Sequence, residues 1–151
     1  MSYYYDASAL VANYHEEDGS RRVELLAAER GARHVISRFG YLEVQSAFAL
    51  KVRTGEISEA DFLLLRRRFR GDVKHRRLVV VRLLRRHFDR CEELLLAHSL
   101  RERLRTADAL HLAVALDLRA TGVAETFVCS DVPLVAVARH EGMTVLNPLE
   151  P

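Results

Sequence analysis

The first apolar cluster, Tyr3-Tyr4-Tyr5, stops at Asp6, and the apolar positions over 7–14 then follow helical spacing. This pattern predicts a short aromatic strand followed by a short helix. A polar loop over 15–20 precedes a helix over about 21–30, expected to close at Gly31. His34-Val35-Ile36 predicts a second strand, and Ser37 is placed to cap a helix ending near Arg53. Ser58 with Asp61 three residues on is a capping-box pattern. It opens a helix over about 59–70, which Gly71 is expected to end. Leu78-Val79-Val80-Val81 reads as a buried strand, and Leu84, Phe88, Cys91 and Leu95 recur at helical spacing up to about His98. Thr106 opens another helix to about Thr121-Gly122. A strand over 126–129, a helix over about 132–141 closed by Gly142, and a strand over 143–146 complete the pattern.

Strands alternating with helices at this spacing predict an α/β fold. Its mostly parallel central sheet has about four to five strands, with helices on both faces. The 151 residues fit one domain, since two cores would each be too small to bury enough surface. In such sheets ligands bind at the carboxyl ends of the strands, where strand order reverses.

Composition narrows the class. Apolar residues make up 49% and charged residues 29%, with only 7 Gly and 3 Pro, which excludes a disordered or collagen-like chain. No apolar run is long enough to span a bilayer, and the start Met-Ser-Tyr-Tyr-Tyr-Asp lacks a basic leader, so a cytoplasmic protein with no membrane association is expected. Cys91 and Cys129 are too few for a disulfide framework. His87, Cys91 and His98 lack a fourth ligand for zinc. The net charge of +2 hides an uneven distribution, because residues 66–90 hold 11 basic side chains against 2 acidic ones.

Four acids sit in apolar company. Asp6 ends the first strand and Asp131 follows the strand over 126–129, both on the expected carboxyl edge. Glu43 is in line with Phe39, Ala47 and Leu50, and Asp108 lies in a helix apolar almost all round. Buried carboxylates are costly unless paired, capped or bound to metal. Local caps or Arg pairs explain any one of them. Convergence of all four on one sheet edge suits a hard cation, Mg²⁺ or Mn²⁺, and such a metal has a direct use in phosphodiester hydrolysis.

The segments Tyr4-Tyr5-Asp6-Ala7-Ser8-Ala9-Leu10-Val11, Tyr41-Leu42-Glu43-Val44, Leu104-Arg105-Thr106-Ala107-Asp108-Ala109-Leu110-His111-Leu112-Ala113, Ser130-Asp131 and Gly142-Met143-Thr144-Val145-Leu146-Asn147-Pro148 together resemble a PIN domain of the VapC toxin type. The resemblance implies a PIN-like three-layer fold. It also implies a Mg²⁺- or Mn²⁺-dependent endoribonuclease that cuts structured RNA such as tRNA or rRNA and is silenced by a VapB-like antitoxin. Carried over, Asp6, Glu43, Asp108 and Asp131 form the catalytic quartet, with Asp6, Asp108 and Asp131 as metal ligands and Glu43 acting on the attacking water. Ser8 and Thr106 are supporting hydroxyls. Relatives also pair as homodimers. The alternative is a PIN-like RNA-binding or protein-interaction module without nuclease activity.

Arg66, Arg67, Arg68, Arg70, Lys74, Arg76 and Arg77 fall at a helix end and the loop after it, available to RNA phosphates or to a protein partner. Tyr14 and Phe69 read as core aromatics that are alternatively placed to stack on bases. His111, three residues after Asp108 on one helical face, reads as a packed, hydrogen-bonded histidine. Cys129 reads as buried rather than nucleophilic.

Overall fold

The computed structural model describes residues 1–150. Five parallel strands form one sheet in the order β3-β2-β1-β4-β5. They are β1 (Ser2–Tyr5), β2 (Arg33–Ser37), β3 (Val79–Val81), β4 (Thr126–Val128) and β5 (Thr144–Leu146). Seven helices accompany them: α1 (Ala7–Val11), α2 (Ser20–Ala27), α3 (Arg38–Arg53), α4 (Glu59–Lys74), α5 (Arg85–His98), α6 (Thr106–Ala120) and α7 (Val132–His140). No described helix is long and apolar enough to cross a membrane.

The aromatic strand lies at the centre because both its faces are apolar, the mark of a parallel strand covered on two sides. Tyr4 packs with Val35, Phe127 and Cys129 under α5, α6 and α7, whereas Tyr3 and Tyr5 pack with Ile36 and Val128 under α1 to α4. The three-layer arrangement follows from this alternation. The chain proceeds outward from β1 to β2 and β3, then returns to the other side of β1 for β4 and β5, so strand order reverses between β1 and β4. That crevice is where such sheets place ligands.

Side-chain caps fix the helix starts. Ser37 accepts from the Gly40 amide at 3.0 Å, and Ser58 and Asp61 form the reciprocal capping box. Other expectations are corrected. Gly71 does not end α4, which continues to Lys74 because Leu65 and Phe69 bury one face against Tyr14, Tyr41 and Phe48. Tertiary packing there outweighs the weak helix propensity of glycine. The helix closes in a Schellman motif instead, with Arg76 N–H on the Val73 carbonyl and Arg77 N–H on that of Asp72. The left-handed position is Arg76, at φ 58°. Likewise α2 stops at Ala27, and Gly31 serves the turn into β2. The strand β3 lies at the sheet edge with Val79 exposed, so only Leu78 of its apolar run is deeply buried. On α5 the buried stripe is His87, Cys91 and Leu94, while Phe88 and Leu84 face solvent. His87 is held by the Leu84 amide and by Asp117, which gives this polar residue its buried place.

Candidate active site

Asp6 directly follows β1, and its amide extends the ladder by donating to the Val128 carbonyl at 3.0 Å. Asp6 occupies the N-cap position of α1, yet its carboxylate makes no capping bond. Its side chain is nevertheless only 11% exposed, with Ser8 Oγ donating to Oδ2 at 2.5 Å. Asp108 arrives from the other layer, in the first turn of α6, where the helix dipole favours negative charge. Glu43 comes from α3, one and a half turns beyond the Ser37 cap. Asp131 follows β4 and caps α7, accepting the Leu134 amide on Oδ1 at 3.0 Å.

Asp6 feels the charges of both Glu43 and Asp108, and Asp131 shares a field with Asp6 and Asp108 at Arg105 and Cys129. Burial pushes the Asp6 carboxyl upward. His111 and the Ser8 hydroxyl oppose this, and the charges of Glu43 and Asp108 add to it, so the net shift is upward. Arg105, on the rim, feels Asp108, Asp131 and Asp6 together. Its guanidinium forks onto Asp108, with Nε to Oδ2 at 2.9 Å and Nη2 to Oδ1 at 3.3 Å.

His111 is the residue whose part the sequence understated. It is fully buried, as expected of a packed histidine, but it also joins two of the acids. Nε2 lies 2.5 Å from Glu43 Oε2 and 3.7 Å from Asp6 Oδ1, while Nδ1 shares a 2.9 Å hydrogen bond with the Tyr4 hydroxyl. The ring crosses from α6 to α3 over the end of β1. Gly40 makes room for it, since a Cβ there would stand 3.0 Å from His111 Cε1 and 2.9 Å from Ile36 Cγ1. Burial disfavours the imidazolium, but the Glu43 hydrogen bond and the charges of Asp6, Glu43 and Asp108 outweigh it and raise the pKa. The i, i+3 spacing from Asp108 was the available signal, and Glu43, 68 residues away, was the missing partner.

The donor set fits a divalent cation. Asp6, Glu43 and His111 each bring one ligand atom within 4.8 Å of the others, and three of the four acids lack a full set of protein donors for their oxygens. Thr106 begins α6 with its side chain exposed and makes no side-chain hydrogen bond to the acids among the described residues. Cys129 is buried beside Asp6, and burial first, then the Asp6 charge, push its thiol well above the ordinary range, which leaves it inert.

Of the basic residues, only Lys74 leaves the loop expected for it, as the last residue of α4. Arg66, Arg67, Arg68, Arg70 and Lys74 all lie on α4, and only Arg76 and Arg77 follow it. Leu63, Arg66, Arg67, Arg70, Gly71 and Lys74 line one groove of about 610 Å³. Arg66 donates to Gln45 and Arg77 pairs with Asp72, whereas Arg67, Arg68, Arg70 and Lys74 make no ion pair among the described residues. Tyr14 and Phe69 are buried against each other and against Phe48, and so belong to the core.

A family model described as the PIN domain matches residues 3–127. A search of curated proteins finds no match for the sequence. Among solved structures, the chain is similar to FitAcB from Neisseria gonorrhoeae, with a TM-score of 0.66 at 13% identity over 99% of each chain. It is similar to VapBC-1 from nontypeable Haemophilus influenzae, with a TM-score of 0.63 at 15% identity over 99% of this chain and 100% of that one. It is also similar to Mycobacterium tuberculosis VapC20, described as a sarcin-ricin loop cleaving toxin, with a TM-score of 0.62 at 18% identity over 89% of this chain and 93% of that one. At these identities the likeness is one of fold.

Proposed function

The chain belongs to the PIN domain family, and from that premise we propose that it is a metal-dependent endoribonuclease of the VapC toxin type. The observation that supports this reading is the buried Asp6 at the end of β1, with Glu43 and His111 within ligand distance of it, the Asp108 charge felt there, and Asp131, which follows the adjacent strand β4, sharing their field at Arg105. Charge gathered there at the expense of solvation calls for a cation.

Asp6, Asp108 and Asp131 would hold Mg²⁺ or Mn²⁺. Such an ion acidifies a water and offsets charge on the phosphoryl oxygens. The chain's own groups supply the rest. Glu43 has Oε2 fixed by His111 and Oε1 free to accept a proton from the attacking water. Ser8 orients Asp6. Arg105 has a side chain 62% exposed and exchanges Asp108 for a substrate phosphate at little cost. The unpaired cations of α4 contact phosphates of a structured RNA away from the cut. The toxin reading carries with it a VapB-like antitoxin, whose Arg-bearing tail would lie against the quartet, and a homodimer acting in the cytoplasm.

The test is cleavage of total RNA by purified, partner-free protein in Mg²⁺ or Mn²⁺ and in EDTA. The wild type cuts only with metal, and Asp6→Asn and Asp108→Asn are inactive. Glu43→Gln loses about a hundredfold to ten-thousandfold in rate. Equal cleavage by the Asn variants, or cleavage that survives EDTA, would leave the module without nuclease activity as the better reading.

A further inference from the structure

Glu141, ten residues after Asp131, stands about 15 Å along α7 from it and gathers a second set of metal-ligating side chains. Glu141 is the C-cap of α7, and His140 is that helix's last residue. His98 is the last residue of α5. The His98 and His140 rings meet edge to face with centroids 5.2 Å apart, and His98 Nε2 lies 2.6 Å from Glu141 Oε1. One ligand atom from each of the three lies within 4.8 Å of the others.

The surroundings favour a cation. Two helix C-termini converge here, and their terminal carbonyls carry partial negative charge. Arg90 Nη2 donates to Glu141 Oε2 at 2.6 Å and orients the carboxylate, leaving Oε1 toward the histidines. Ligating carboxylates commonly have such a second partner. The three residues border a cavity of about 370 Å³ in which Glu102 offsets Arg101, with space for a water to complete the coordination. His98 and Glu141 are largely buried, and the exposed His140 closes the set from outside.

We propose that His98, His140 and Glu141 form a second metal site, separate from the acidic cleft and selective for Zn²⁺ or a similar borderline ion over Mg²⁺ and Mn²⁺. Two imidazoles and one carboxylate with an open fourth position make a donor set suited to Zn²⁺, whereas hard Mg²⁺ prefers oxygen alone. On binding, His98 takes the Nδ1–H tautomer and Nε2 changes from a partner of Glu141 into a ligand. The ion then ties the end of α7 to the end of α5.

Zn²⁺ binding to the metal-free protein is measured by equilibrium dialysis with excess Mg²⁺ present, alongside thermal unfolding. The wild type should bind one more equivalent of Zn²⁺ than His140→Ala. Glu141→Gln should bind that equivalent at least about tenfold more weakly. Zn²⁺ should raise the Tm of the wild type and not that of His140→Ala, as expected for an ion bound only by the folded state. Because His140 is exposed, its substitution leaves the fold and the Mg²⁺-dependent cleavage of RNA unchanged. Equal Zn²⁺ stoichiometry and affinity in wild type and His140→Ala overturns the site, as does a wild type that binds no Zn²⁺ under these conditions. Asp108→Asn should retain the extra equivalent, and its loss there would move the ion to the acidic cleft.

Discussion

His111 decides how the acids stand relative to one another. It reaches Glu43 on α3, Asp6 after β1 and Tyr4 within the sheet from a single turn of α6, and Gly40 admits its ring. Replacing it with Phe fills the space but takes the imidazole away from the Tyr4 hydroxyl and leaves one Glu43 oxygen without its partner. His111→Phe should therefore cost about 1–3 kcal/mol in chemical denaturation and slow RNA cleavage, whereas His111→Gln, which keeps an N–H donor, recovers part of both. A His111→Phe enzyme with unchanged kcat would reduce the residue to packing. The acids themselves were legible at this scale, because a carboxylate in an apolar stripe or at a strand end is out of place on its own sequence neighbourhood. Their partners were not. Glu43 and His111 meet only through the fold, and the pairing of Arg105 with Asp108 looks in sequence like any surface i, i+3 pair.

Elements were legible where local chemistry sets them and illegible where packing overrides it. The Ser37 and Ser58 caps appear as the sequence predicts, because a cap is a contact between near neighbours. The end of α4 escaped, since the aromatic cluster around Phe69 carries the helix past Gly71 and puts Arg76 where glycine is usual. Arg76→Gly should raise stability by about 1 kcal/mol by removing the left-handed strain, read as a shift in the denaturation midpoint with unchanged slope. The join between α5 and α6 responds to pH. The Arg86 hydrogen bond first, then that from His87, hold the Asp117 carboxyl below its ordinary range. A carboxyl lowered on folding contributes stability that is complete above its unfolded pKa of about 3.9 and lost as pH falls through the folded value. The stability difference between wild type and Asp117→Asn should thus be constant above about pH 5 and shrink below about pH 4, in urea titrations at each pH. A difference that persists at the lowest pH would remove the charge from the account.

For the whole molecule, the alternation of strands and helices predicted the parallel sheet and its two covered faces. The order β3-β2-β1-β4-β5 was not legible, because nothing local states which strands become neighbours. Nor was the full length of the basic stripe on α4, which gains Lys74 once the helix runs past Gly71. If that stripe meets RNA, replacing Arg67, Arg70 and Lys74 together with Gln should lower the slope of log affinity against log salt by about 2. Metal-dependent cutting of a short RNA should survive. An unchanged slope would assign the stripe to a protein partner instead.

The crevice between β1 and β4 also sets an order in time. Asp6 and Glu43 leave the ribosome early, while Asp108 follows Asp6 by about a hundred residues, or roughly 5–20 s of synthesis. The strand that completes the crevice comes later still. A growing chain therefore holds half of its acids without their counterparts, and it cannot assemble the cleft until most of it has been made.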